Sequence, residues 1–148
     1  WVIIYGFIQA LAPKLTGNSK TPDEVRGQLV LFGGLLALTP AGIGFALIQG
    51  FVPVWVVTLG LLLFALLFAM NSALHSYLIV RFARTDGASL DIGFYYMANA
   101  GGRLLGTIGS GALYQWSGLE ACLWVSALLI AIASVTALSL PHTEEGTA

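Results

Sequence analysis

Residues 90–114 read LDIGFYYMANAGGRLLGTIGSGALY, an apolar stretch of twenty-five residues with a single arginine, Arg103, near its middle. About 20 apolar residues suffice to span the hydrocarbon core of a bilayer, so this stretch predicts a transmembrane helix. An arginine at the centre of such a helix costs about 2.5–3.5 kcal/mol on insertion scales. Because of that cost, Arg103 is the residue most informative about function.

The rest of the chain is equally apolar. Of its 148 residues, 57% are hydrophobic and only 9% are charged, and the mean hydropathy is +0.87. Soluble domains carry about 25% charged residues, so this composition indicates a membrane protein in contact with the lipid bilayer. The formal net charge of −1 argues against nucleic acid as a partner.

Polar loops and tight turns divide the chain into an all-α, polytopic transmembrane bundle. One partial and four full helices are predicted, with two loops and a tail on one side of the membrane. The partial helix covers residues 1–12, the full helices cover about 28–50, 54–80, 90–114 and 119–140, the loops are 13–27 and 81–89, and the tail is 141–148.

The distribution of basic residues predicts the orientation. Five of the six basic residues lie in the two loops, and neither opposite turn contains one. By the positive-inside rule the loops and the tail are cytoplasmic. Because residues 1–12 are too short to span a membrane, the chain is expected to be the C-terminal part of a larger membrane protein.

Tyr95 and Asn99 precede Arg103 at intervals of four residues, so the three side chains share one face of a helix. A phenol, an amide and a guanidinium in a row are suited to binding a small anionic substrate in a polar cavity. The alternative is that Arg103 forms an ion pair or bonds carbonyl groups between helices. No acidic residue of this chain is expected at the depth of Arg103, so such a partner would come from elsewhere.

A second polar pair, Asn71 and His75, is also spaced four residues apart. Asn71 is a further candidate for substrate binding. His75 is a candidate for proton coupling, because histidine is the side chain best suited to exchange protons at physiological pH. The alternative for His75 is a hydrogen-bonded residue that only packs between helices.

Small residues recur every four positions in the central stretch, at Ala98, Gly102, Gly106 and Ser110. Such spacing is typical of helices that approach a neighbour closely, so these four residues are predicted to serve helix packing. The sequence contains no cluster of metal ligands and no catalytic motif. We therefore expect neither a metal, a cofactor nor an enzymatic activity.

Short outer turns, basic inner loops and glycine-rich helices resemble the C-terminal bundle of a major facilitator superfamily transporter. The resemblance covers essentially the whole chain, and it implies a missing N-terminal half. The loop at residues 13–27 lacks the glycine-aspartate-arginine-glycine core that is usual in that superfamily. The resemblance implies alternating access about a site near the midplane.

More specifically, NSALHSYLIV at residues 71–80 and DIGFYYMANAGGRLLGTIGSGALYQ at 91–115 are similar to the organoarsenical-efflux (ArsJ-type) permeases. That branch implies export of 1-arseno-3-phosphoglycerate across the inner membrane of a bacterium, which confers arsenate resistance. It also implies a functional link to glyceraldehyde-3-phosphate dehydrogenase, which makes this compound. Two alternatives stay open: a proton-coupled drug or metabolite permease, and a membrane assembly subunit that transports nothing.

Overall fold

The described part of the chain is helical almost throughout. The computed structural model describes residues 22–82 and 87–139, together with Ile3, Gly6, Phe7, Ala10 and Leu11. Three long helices account for nearly all of these residues, and none of them lies in a strand. The helices are α1 (Pro22–Ile48), α2 (Pro53–Phe82) and α3 (Ala88–Thr136), and a 3₁₀ turn at Ala137–Ser139 follows α3.

The all-α prediction is confirmed, but the predicted number of helices is not supported. The described residues hold three long helices instead of one partial and four full ones. The predicted span 90–114 and residues 119–136 of the last predicted span, 119–140, both fall in the single helix α3. Most of the partial span at 1–12 and all of the tail at 141–148 lie outside the described residues, as do positions 13–21 and 83–86.

Helix α1 begins at Pro22, six residues earlier than predicted, so residues 22–27 are not loop. The sequence Pro-Asp-Glu at 22–24 explains the early start. Proline is preorganised for the first helical position, and acidic residues are stabilised near the positive end of the helix dipole. Likewise, α2 continues to Phe82 and α3 starts at Ala88, so both ends of the predicted 81–89 loop are helical.

Helices α1 and α2 form an antiparallel hairpin through a glycine-terminated turn. Gly50 has φ of 79°, and its N–H donates to the Leu47 carbonyl at 3.0 Å, while the Phe51 N–H donates to the Ala46 carbonyl at 3.2 Å. This pair of bonds is a Schellman motif, which requires a left-handed residue and therefore favours glycine. The buried residues that join the two helices are Val25, Leu29, Leu74 and Leu78.

Helix α3 folds back on itself at Gly118, the one residue of this helix with non-helical dihedral angles (φ 76°, ψ −171°). The Cys122 thiol lies 3.5 Å from the Ser110 carbonyl oxygen. In a straight helix these residues would be about 18 Å apart along the axis. We therefore describe α3 as two arms, an N-terminal arm (residues 88–117) and a C-terminal arm (residues 119–136).

The C-terminal arm packs antiparallel against α1. The Ser134 hydroxyl donates to the Val30 carbonyl at 3.1 Å, and the Arg26 guanidinium donates to the Leu138 carbonyl at the end of the chain's last described turn. A cation suits that position because helix C-termini leave carbonyl groups without intrahelical partners. Helix α1 thus lies between α2 and the C-terminal arm.

Gly33 is required where α1 meets the C-terminal arm. A β-carbon at Gly33 would lie 2.7 Å from the Ser134 hydroxyl and 3.0 Å from its β-carbon. Gly33→Ala should therefore displace Ser134 and lower the free energy of unfolding by about 1–3 kcal/mol. Thermal unfolding in detergent measures this loss. Gly34→Ala is the matched control, because no atom lies within 4 Å of the corresponding position; equal loss in both variants would contradict the prediction.

All three helices are long and apolar enough to cross a membrane, over Glu24–Ile48, Pro53–Ile79 and Ser89–Ser139. The last range has 51 residues and, if straight, would extend about 77 Å, more than twice the thickness of a hydrocarbon core. The break at Gly118 divides it into two arms of spanning length. Length and composition therefore indicate a membrane protein.

Candidate functional site

Arg103 lies at the middle of the N-terminal arm. It is fifteen residues after Ala88 and fourteen before residue 117, so it is about 22 Å from either end of the arm. If the arm spans a bilayer, this position is near the midplane. Arg103 thus lies centrally in its arm, and its depth in a membrane stays a prediction.

The Arg103 side chain is exposed and has no bound partner in the described part of the chain. Its backbone carbonyl accepts a hydrogen bond of 2.8 Å from the Thr107 hydroxyl, one turn along the arm. That bond does not involve the guanidinium. The five N–H donors of Arg103 are therefore turned to the surroundings of the arm.

The two residues predicted to share a helix face with Arg103 differ in their surroundings. Asn99 is exposed, whereas Tyr95 is half-buried. The Tyr95 ring packs edge-on against Tyr96, with ring centroids 5.5 Å apart and an interplanar angle of 68°. This contact is that of a packing tyrosine, so of the two neighbours Asn99 is the more available to a ligand of Arg103.

Helical geometry divides the N-terminal arm into a small, polar side and a bulky, apolar side. At about 100° per residue, four residues fall within roughly 60° of the circumference. We call them the Arg103 face: Asn99, Arg103, Gly106 and Ser110. The exposed side chains of Met97, Leu104 and Ile108 point roughly 150° away from this face.

The small residues of the N-terminal arm border a cleft between the two arms. The cleft has a volume of about 600 Å³, and its walls are mostly apolar. Gly102, Gly106 and Ser110 line one wall, and Cys122, Val125 and Ser126 are among the residues of the other. Within the cleft, the Ser110 hydroxyl donates to the Thr107 carbonyl of its own arm at 3.1 Å.

Close helix packing at Ala98, Gly102, Gly106 and Ser110 stays a prediction. Nothing lies within 4 Å of a β-carbon built on Gly102 or Gly106, and Ala98 is exposed. The glycines that do make close contacts among the described residues are Gly33, Gly44 and Gly60, against Ser134, Trp124 and Ile43 respectively. The stripe in the N-terminal arm is thus open to a partner.

Asn71 and His75 lie on α2, and neither forms a hydrogen bond with the Arg103 face among the described residues. The Nδ1–H of His75 donates to the Asn71 carbonyl at 3.0 Å, because a carbonyl oxygen can only accept. The Asn71 side-chain Oδ1 is buried and has no hydrogen-bond partner in the part of the chain that the structure describes. The sequence-predicted candidates therefore form two separate groups.

Three residues of structural importance were not singled out from sequence as candidates. Arg26 was counted only as a loop charge, yet it binds the Leu138 carbonyl. The Gln28 side-chain Oε1 is buried and lacks a partner among the described residues. Gly118 forms the break in α3. A glycine between two apolar spans is a usable signal for Gly118, whereas nothing local marks the other two.

The described residues hold no group of three or more His, Cys, Asp or Glu side chains that could bind a metal ion.

No protein-family model, no curated protein and no solved structure matches this chain. The inference about function therefore starts from the geometry around Arg103.

Proposed function

We propose that this chain belongs to a membrane transporter that exports a small organic anion by alternating access, with Arg103 binding the anion. One observation carries this proposal: an exposed guanidinium lies at the middle of an apolar arm, without an acidic partner among the described residues. An arginine at that depth is expensive and usually functional. An anion bound at the Arg103 face would supply the missing opposite charge.

The chemistry of arginine favours an anion of the phosphate or carboxylate type. The planar guanidinium can bind either group with two parallel hydrogen bonds. Asn99 adds an amide that can donate to or accept from the rest of the ligand. With the cell interior negative, each negative charge that leaves gains about 2.3 kcal/mol per 100 mV, so export of an anion needs no obligatory proton.

The fold and substrate that we propose rest on the sequence resemblance. The two arms of α3 would serve as two crossings of a major facilitator superfamily C-terminal bundle, whose other half lies outside these residues. The substrate would be 1-arseno-3-phosphoglycerate, made by glyceraldehyde-3-phosphate dehydrogenase, and its export across a bacterial inner membrane would give arsenate resistance. A strongly anionic ligand of this kind matches a midplane arginine with an amide beside it.

Transport into everted membrane vesicles tests the proposal directly. Vesicles that contain the full-length protein should accumulate 1-arseno-3-phosphoglycerate, and an interior-positive potential should increase the uptake because the substrate is an anion. Vesicles without the protein are the control. Uptake that is equal with and without the protein would refute the proposed substrate.

A proton-coupled drug or metabolite permease is the alternative that depends on His75. The hydrogen bond from His75 to the Asn71 carbonyl favours a packing role instead. We therefore expect His75→Ala to leave the pH profile of transport unchanged and to lower the free energy of unfolding by about 0.5–1.5 kcal/mol, the value of one hydrogen bond. Transport that loses its pH dependence in this variant would favour proton coupling.

A membrane assembly subunit that transports nothing is the alternative from another class. Its supporting observation is the open stripe of small residues beside Arg103, which suits helix association as well as a cavity wall. It requires Arg103 to remain paired with another helix permanently. The vesicle experiment separates the two, because an assembly subunit moves no anion.

A further inference from the structure

Within the described residues, the N-terminal arm of α3 is largely uncovered by the rest of the chain. Within the arm, every residue from Gly93 to Gly111 except Tyr95 is exposed. The bulky side of the arm, with Leu104 and Ile108, suits contact with lipid. The Arg103 face does not, because a charged side chain in hydrocarbon requires an opposite charge.

The described acidic residues lie too far along the helices to neutralise Arg103. Asp91 is twelve residues before it on the same arm, about 18 Å along the axis. Glu120 lies beside the break at Gly118. Since Cys122 is level with Ser110, Glu120 is about nine residues, or roughly 13 Å, from the level of Arg103. Asp23 and Glu24 are in the first turn of α1, at a helix end.

A second copy of this chain is a poor occupant of the Arg103 face. A symmetric contact between two copies in one membrane would place one Arg103 opposite the other at the same depth, and like charges in a low dielectric repel strongly. The occupant must instead bring a negative charge to mid-depth. The backbone of the occupant must also be able to approach Gly106 closely. Space is open there, because no atom lies within 4 Å of the position that a β-carbon on Gly106 would take.

We propose that the Arg103 face receives a membrane-spanning helix from outside residues 1–148, which carries one Asp or Glu at mid-depth. Gly106 and Ser110 allow its backbone to approach closely, and its carboxylate pairs with Arg103 whenever no transported anion is bound. The transported anion displaces the carboxylate, and this exchange rests on the proposed function, whereas the docking does not. Between transport cycles, the carboxylate neutralises the charge of Arg103 within the membrane.

Synthetic peptides test the docking. The chain, labelled with a donor fluorophore, is reconstituted into phosphatidylcholine vesicles with an acceptor-labelled apolar peptide of spanning length that has Glu at its centre. A second peptide has Gln in place of Glu. Energy transfer should show that the Glu peptide binds about tenfold tighter or more, because a hydrogen bond between charged groups exceeds a neutral one. Equal binding of the two peptides would overturn the proposal.

Variants of the chain assign the binding to the Arg103 face. Arg103→Gln should remove the preference for Glu, whereas Arg103→Lys should keep part of it. Gly106→Leu should weaken the binding of both peptides, because the leucine side chain would fill the space that the peptide backbone enters. Leu104→Ala, on the bulky side of the arm, is the matched control and should change the binding of neither peptide. A preference for Glu that survives in Arg103→Gln, or self-association of the chain that Gly106→Leu abolishes, would overturn the assignment.

A competition experiment separates this inference from the proposed function. Added 1-arseno-3-phosphoglycerate should release the Glu peptide from the chain but leave the Gln peptide unaffected. Selective peptide binding that resists the anion would refute the exchange and the anion site at Arg103, while the docking helix would stand. Release of both peptides alike would show a general effect on the vesicles and would overturn the exchange.

Discussion

Replacing Arg103 by alanine should abolish arsenate resistance in cells that express the full-length protein, while the amount of protein in the membrane stays the same. The guanidinium is the one group on its face that can supply positive charge to an anion at mid-depth. A hydrogen bond to a charged group is worth about 1.5–3 kcal/mol. Losing it predicts a drop in transport of about ten- to hundredfold, which initial rates in everted vesicles measure.

Two further variants make this result specific. Arg103→Lys keeps the charge but not the two parallel hydrogen bonds, so we expect an intermediate transport rate. Leu104→Ala removes a bulky side chain that points about 100° away from Arg103 and should leave transport unchanged. Normal resistance in Arg103→Ala, at a normal level of protein, would refute the role of Arg103 in binding the substrate.

The second large effect is expected at Gly118. Its φ of 76° and ψ of −171° lie in a region that is essentially restricted to glycine. Gly118→Ala should therefore lower the free energy of unfolding by about 1–3 kcal/mol through backbone strain alone, since no atom lies within 4 Å of the β-carbon position. Thermal unfolding of the purified protein in detergent, followed by tryptophan fluorescence, measures this loss.

Gly111→Ala is the matched control for that experiment. Gly111 also has open space at its β-carbon position, but it lies inside a regular helix. Alanine is favoured over glycine there by roughly 0.5–1 kcal/mol, so the control should be neutral or slightly stabilised. If Gly118→Ala were as stable as Gly111→Ala, the fold-back of α3 at Gly118 would be wrong.

The sequence predicted properties that depend on neighbours along the chain. The apolar stretches predicted an all-helical chain with helices of spanning length but not the number of helices, and counting residues placed Arg103 near the middle of its arm. The glycine turn at Gly50 coincides with the end of the predicted span 28–50. The misplaced start of α1 came from treating Pro22 and the acidic residues after it as loop, although the same residues favour a first helical turn.

Pairings between helices could not be predicted, because they depend on shape and on residues distant in sequence. Small residues at Gly33 and at Gly106 have the same local signature, yet only Gly33 meets a neighbour among the described residues. Arg26 and Leu138 are 112 positions apart, and neither has a local feature that selects the other. The sequence pattern predicted that Asn71 and Arg103 belong to one substrate site, whereas the structure places them on separate helices. Whether two helices bring such residues together depends on the same distant contacts.

The position of α1 between α2 and the C-terminal arm has a consequence for the order of events during synthesis. Arg26 of α1 donates to the Leu138 carbonyl, and Leu138 is synthesised 112 residues after Arg26. At about 5–20 residues per second this is a delay of roughly 6–22 seconds. During that interval α1 is already in the membrane with one flank uncovered. The turns around Leu138 therefore complete the cover of α1 on this flank, and a nascent chain that stalls before them leaves α1 exposed to membrane proteases.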